Sequence, residues 1–214
     1  MSTFVLIHAA GESSWAWHLV VPILREHGHE VVAPDLPADD DRADLDDYTE
    51  TAVQAVGEQR DTVVVGHSFG AFTSPLVADR LGSRLLVLTA GMVPAPGEKP
   101  ADWWDNVGYR DFVPEEPDDP YFHDVPGALA EEAQRRERAH PSPAAYDQPW
   151  PLPHWPAVPT RFVLGINDRC FPPALFRELV PERLGIQPDE IESGHCMSLA
   201  HPAELAHKLL GYTS

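Results

Sequence analysis

Five residues, Gly66-His67-Ser68-Phe69-Gly70, follow directly on the apolar run Thr62-Val63-Val64-Val65. No other stretch limits the fold of this chain so sharply. A continuous β-branched run reads as a strand buried on both faces. Glycines on either side of a serine let the chain double back tightly and bring strand and helix close together. The expected unit is strand, sharp turn, helix, with Ser68 on the turn at the carboxyl end of a sheet. A serine held there is a candidate nucleophile. It needs a histidine to take its proton and an acid to orient that histidine.

Both follow later in the chain. Asp168 ends the segment Phe162-Val163-Leu164-Gly165-Ile166-Asn167-Asp168, and His195 lies just past the short run Glu190-Ile191-Glu192. The order Ser, Asp, His differs from that of the two best-known serine protease folds. Charge on a tetrahedral intermediate calls for two backbone N–H groups. Phe69, at the start of the helix, is expected to supply one. The loop His8-Ala9-Ala10-Gly11 is expected to supply the other at Ala10. His67 is read as packing or hydrogen-bonding within the turn, and His8 as a brace for that loop. His201 falls too far past the strand to be the base. His8, His67 and His195 lack metal-site spacing such as H-E-x-x-H, so neither a metal nor a cofactor is expected.

Around these residues the chain alternates strand and helix signals. Strands are expected at 4–7, 30–33, 62–65, 85–88, 162–164 and 189–192. Helices are expected at 15–26, 48–60 (capped near Asp47 or Thr49), 69–81 and 203–210. Six short strands with helices between them describe an α/β fold, a mostly parallel sheet covered on both faces. One interruption breaks the alternation, from 92 to 159. It is rich in proline and carries Trp103, Trp104, Trp150 and Trp155. It is too long for an ordinary loop. Helices are expected at 128–139 and near Trp103-Trp104. The division is therefore a core of 1–91 and 160–214, with 92–159 inserted as a small lid above Ser68. The lid aromatics fit either a small core of their own or the wall of a substrate pocket.

With 15 basic and 34 acidic residues among 214, the net charge is −19. Such a field opposes nucleic acid and anionic membranes as partners. No segment approaches the ~20 apolar residues of a membrane span. The N-terminus has no basic region, and Phe4-Val5-Leu6-Ile7 reads as a strand and not as a signal peptide, so a cytoplasmic location is expected. The two cysteines, Cys170 and Cys196, stand next to the acid and the base in sequence. They read as small buried apolar residues, with a disulfide between the two loops as the alternative.

Together these segments resemble the α/β-hydrolase superfamily, in particular small bacterial esterase-like hydrolases and the plant methylesterase and hydroxynitrile lyase group. The resemblance rests on His8-Ala9-Ala10-Gly11 with Trp15-Ala16-Trp17, on Gly66-His67-Ser68-Phe69-Gly70, on Gly165-Ile166-Asn167-Asp168, and on Ser193-Gly194-His195 with Pro202. It implies the same roles: Ser68 as nucleophile, Asp168 as acid, His195 as base, and Ala10 and Phe69 as oxyanion donors. Ala9 stands where the family usually has glycine. Ser68 argues against the dehalogenases and most epoxide hydrolases of the superfamily, which use aspartate there. Cys196 stands where the plant lyases carry a lysine, which argues against lyase activity. The expected activity is hydrolysis of a small, largely uncharged carboxylic ester through an acyl-enzyme. A thioesterase, lactonase or C–C bond hydrolase would use the same groups, and a non-catalytic small-molecule binding protein is a further alternative. Monomer and homodimer are both compatible with the sequence.

Overall fold

The six apolar runs become six strands of one parallel sheet in the computed structural model, which describes residues 1–113, 115–138 and 141–213. They are β1 (Thr3–Ile7), β2 (Glu30–Val32), β3 (Thr62–His67), β4 (Leu85–Thr89), β5 (Thr160–Gly165) and β6 (Asp189–Ile191), in the spatial order β2-β1-β3-β4-β5-β6. Every residue of β1, β3 and β4 is buried. That is why these strands are continuous in apolar residues instead of alternating. The short outer strands β2 and β6 expose Glu30 and Glu190.

The chain runs from β1 outward to β2, then crosses back to β3 on the other side of β1 and continues to β6. Winding therefore reverses between β1 and β3. Loops leaving the carboxyl ends of these neighbours part to opposite faces and open a crevice, the usual binding position in open α/β sheets. The β1–β3 register pairs Ile7 with Gly66. The loop after Ile7 and the turn after His67 consequently stand side by side.

Helices α1 (Val20–Glu26), α2 (Leu45–Val56), α3 (Ser74–Leu81), α8 (Pro173–Leu184), α9 (Met197–Ala200) and α10 (Pro202–Gly211) accompany the strands. Three of the expected helices differ from this. The segment 15–26 is broken into a 3-10 turn, Ser14–Trp17, and α1. Ser13 caps the turn through Trp15 N–H, and Pro22 falls in the first turn of α1, where its missing N–H has no partner to lose. Helix α2 starts at Leu45 and not at 48, because Asp44 accepts from Asp46 N–H and Asp47 N–H while the Asp47 carboxylate accepts from Asp44 N–H. Two acids three residues apart make a reciprocal cap. The segment 69–81 begins as a 3-10 turn, Ser68–Ala71, before α3.

The segment 92–159 contains α4 (Pro100–Asn106), α5 (Tyr109–Phe112), α6 (Gly127–Arg135) and α7 (Pro143–Asp147). Helix α6 ends at Arg135; the expected end at 139 lies outside the described residues. The segment has no separate core of tryptophans. Trp103 and Trp150 are fully buried in the main core, where Trp103 Nε1–H donates to Val93 O (3.0 Å) and Trp150 Nε1–H to Phe72 O (3.0 Å). A buried ion pair fastens the start of the segment to α8. Arg183 meets Glu98 with both guanidinium nitrogens, the second at 2.9 Å, and Asn106 Nδ2–H adds a bond to Glu98 at 2.9 Å.

Removing Glu98 leaves the largely buried Arg183 guanidinium with the Val93 carbonyl but no counter-charge. Glu98→Ala is expected to lower unfolding free energy by about 3 kcal/mol or more in urea titrations. Glu50→Ala, which breaks an exposed pair with Arg80, is expected to cost under about 1 kcal/mol.

Candidate active site

Ser68 sits in the left-handed region, φ 50°, which a side chain enters only at a cost. Its neighbours make room for it. A Cβ on Gly66 would stand 2.1 Å from Ser74 Oγ, and one on Gly70 would stand 2.7 Å from His8 O. The two glycines are thus fixed by contact with α3 and with the end of β1. The turn is tied down by Met92 N–H, which donates to Ser68 O (3.0 Å).

Asp168 and His195, the expected acid and base, arrive on adjacent strands. His195 Nδ1–H donates to Asp168 Oδ2 at 2.9 Å, and Phe171 N–H donates to Asp168 Oδ1 at 2.8 Å. Both side chains are buried. The two loops are joined by Asn167 N–H to Ser193 O (3.1 Å), a close approach that leaves no space for a Cβ on Gly165. His195 Nε2 has no hydrogen-bond partner among the described residues, while Nδ1 is taken by Asp168. Ser68 and His195 line one cavity of about 920 Å³, together with Ala10 and Phe69. The N–H groups of Ala10 and Phe69 have no acceptor among the described residues. Ala9 N–H is already taken by Glu12 Oε2 (3.0 Å). Ala9 has an ordinary negative φ, so alanine serves where a glycine was the usual residue.

The other histidines have distinct partners. His8 Nδ1–H donates to Ala9 O (2.8 Å) and His8 Nε2 accepts from Leu36 N–H (3.1 Å), so it is neutral and braces the loop. Burial also pulls its pKa down, against smaller opposing effects of the Ala9 carbonyl and nearby carboxylates. His67 bonds Glu12 and the His195 carbonyl. His201 faces Asp124 at 3.6 Å.

Three residues were not singled out by the sequence: Glu12, His123 and Asp124. His123 Nε2–H donates to Asn167 O (2.9 Å), and Asp124 accepts from Gly194 N–H. These two side chains hold the peptide groups just before Asp168 and just before His195. Their partners lie 44 and 70 residues away in the chain, and no local spacing announces such contacts.

Aromatic rings furnish much of the cavity wall: Trp15, Trp104, Tyr121, Phe122, Tyr146 and Phe171. Trp104 is thus a wall residue, in contrast to Trp103 beside it. Cys170 and Cys196 also border the cavity, and both are free thiols. The disulfide alternative does not hold. Burial pushes both thiols well above the ordinary range, with the Asp168 carboxylate adding to the effect for Cys170.

The profile of the alpha/beta hydrolase family matches residues 4–208. The chain belongs to that family. Among curated relatives, this hydrolase-family chain is 29% identical over 116 residues to norfluorocurarine synthase 1 of Strychnos nux-vomica, which covers 49% of this chain and 44% of that protein. It is 33% identical over 95 residues to methylesterase 2 of Arabidopsis thaliana, covering 39% of this chain and 36% of the relative. The match thus spans less than half the length of these relatives. The solved structure of polyneuridine aldehyde esterase superposes with a TM-score of 0.84 at 20% identity, over 100% of both chains. Among the described residues no helix is long and apolar enough to cross a membrane.

A buried, protonated thiol is a poor nucleophile. A colorimetric disulfide reagent at pH 7 is expected to leave both cysteines of the folded protein unmodified over minutes and to titrate both in denaturant. Gly66→Ala is expected to destabilise the protein by about 1–3 kcal/mol in thermal or urea unfolding, since the new methyl group must displace Ser74.

Proposed function

We propose that this protein hydrolyses a carboxylic ester of a small, largely uncharged molecule through an acyl-enzyme. One observation carries the reading. Ser68, on its strained turn, shares a cavity with a histidine whose far nitrogen is bonded to a buried carboxylate. In this reading Ser68 Oγ attacks the ester carbonyl carbon as His195 Nε2 takes its proton. Asp168 keeps Nδ1–H in place and stabilises the imidazolium. The oxyanion sits between the N–H groups of Ala10 and Phe69, the latter at the positive end of a helical turn. Collapse expels the alcohol, which receives the proton from His195. Water then repeats the sequence on the acyl-enzyme and frees Ser68.

The apolar wall suits an apolar acyl or alcohol part. Segment 92–159 supplies much of that wall, including Trp104, Tyr121 and Phe122, and is read as the lid over a core of 1–91 and 160–214. The esterase names of two similar proteins support the same chemistry. A relative named as a synthase matches at comparable identity. The same groups would serve a thioester, a lactone or a C–C bond, and a panel of such substrates separates these from the ester reading.

The test is intact mass after exposure to a small fluorophosphonate, followed by ester turnover. Wild type is expected to take up one phosphonyl group, and Ser68→Ala none. Ser68→Ala is also expected to lose about 10⁴-fold or more in kcat while keeping its melting temperature within a few degrees. Unchanged turnover in that variant overturns the proposal.

A further inference from the structure

His67 lies between two hydrogen-bond acceptors. Its Nε2 is 3.1 Å from the carbonyl oxygen of His195, which can only accept. Its Nδ1 is 3.3 Å from Glu12 Oε2. A neutral imidazole has one N–H and one lone pair, so it satisfies only one of these neighbours. With both nitrogens protonated, both contacts are bonds, and the ring carries a positive charge against the Glu12 carboxylate. The same Glu12 oxygen accepts Ala9 N–H at 3.0 Å. With His67 charged, one carboxylate oxygen receives two donors, one from the loop after β1 and one from the last residue of β3. His67 then passes the connection to the peptide of His195, after β6. His67 is buried, and the Glu12 side chain is 18% exposed.

We propose that Glu12 and His67 form a permanent ion pair beside Ser68 that positions the oxyanion loop and the backbone of His195, and that the pair must stay charged for turnover. Neither residue touches the reacting atoms in this scheme; both are positioning residues. The proposal rests on the reading of Ser68, Asp168 and His195 given above.

The surroundings favour the charged form. Burial alone would lower the His67 pKa, but the Glu12 charge, its hydrogen bond, the His195 carbonyl and the more distant Asp168 charge outweigh it, and the net direction is upward. For Glu12, burial acts upward and the His67 charge and hydrogen bonds act downward, with a net direction below the ordinary carboxylate range. The other titratable groups facing the pair are His8 from the β1 loop, Asp168 after β5, and His195 and Cys196 after β6. His8 is neutral by its own hydrogen bonds, and Cys196 is held as a thiol. Trp17 covers the remaining side of the ring, edge-on at 6.3 Å.

The sign of the pH dependence follows. A raised histidine gives its full stabilisation below the pKa of an unfolded histidine, and that stabilisation is lost as pH rises through the folded value. A lowered carboxylate loses its share as pH falls through its own folded value. The pair is intact between these limits. Above the upper limit the neutral ring keeps one N–H, so a lone pair faces either Glu12 Oε2 or the His195 carbonyl and one of the two contacts is lost.

Glu12→Gln separates charge from shape. A glutamine oxygen at the same place still accepts Ala9 N–H, but it leaves a buried imidazolium without a counter-charge. A glutamine nitrogen there meets Ala9 N–H, donor against donor. Three measurements decide the matter. The first is the ring titration of His67 by heteronuclear NMR in the Ser68→Ala background, with and without Glu12→Gln. Expected is an imidazolium that persists well above pH 6.5, and a titration at least one pH unit lower once Glu12 is replaced. The second is the pH profile of kcat/KM on a p-nitrophenyl ester for Glu12→Gln in the otherwise native protein. Expected is a loss of about tenfold to a hundredfold at pH 7, mainly in kcat, with the alkaline limb moved to lower pH. The third is the same profile for Glu12→Asp, which keeps the charge on a shorter arm; partial recovery of the alkaline limb is expected. A neutral His67 at pH 7, or a Glu12→Gln enzyme with native kcat and native profile, overturns the proposal. Retained turnover in Ser68→Ala would instead overturn the reading of the triad, and the NMR titration still decides the state of the pair.

Discussion

Residue 70 has no room for a side chain, and the rest of the site depends on that fact. A methyl group there would collide with the carbonyl of His8 at the end of β1. The turn after β3 is therefore pressed against the loop after β1, in the register that pairs Ile7 with Gly66. This contact occurs where the sheet reverses its winding, so the two loops diverge above it and leave a crevice. Ser68 at the crevice floor, Ala10 on one lip and Phe69 on the other all follow from one approach of backbone to backbone. Asp168 and His195 are then delivered by β5 and β6, the two strands beyond β4, whose loops are joined to each other.

What was legible in the sequence and what was not divides along contact distance. The central strands were legible because burial on both faces forces continuous apolar character at β1, β3 and β4. The turn around Ser68 was legible because its glycines are demanded by local packing. The start of α2 was not. Asp44, Asp46 and Asp47 all have cap chemistry, and only the reciprocal bond between Asp44 and Asp47 selects among them. Trp103 and Trp104 show the same limit from another side. They are consecutive and chemically identical, yet helical geometry sends one into the core and the other to the cavity. Glu12, His123 and Asp124 act on peptides far away in the chain, and a single carboxylate in a loop reads as a solvated one until the fold closes over it.

The histidines beside the serine show how environment assigns charge to identical side chains. His8 is given one donor and one acceptor as neighbours and is satisfied as a neutral ring. His67 is given two acceptors. His195 is given a carboxylate on one nitrogen and cavity on the other. In the proposed scheme the three rings divide into a brace, a charged joint and a proton carrier, each matched to the donors and acceptors around it.

Segment 92–159 is anchored at its beginning by Glu98 and Arg183 and near its end by Trp150, whose indole reaches the peptide of Phe72 behind the serine. Its ends are therefore pieces of the hydrolase core, while its middle faces the cavity. Removing the whole segment would pull two tryptophans out of the core and take Glu98 away from Arg183. Single exchanges at cavity-facing positions such as Trp104, Tyr121, Phe122 and Tyr146 would instead reshape the chamber and leave those anchors in place.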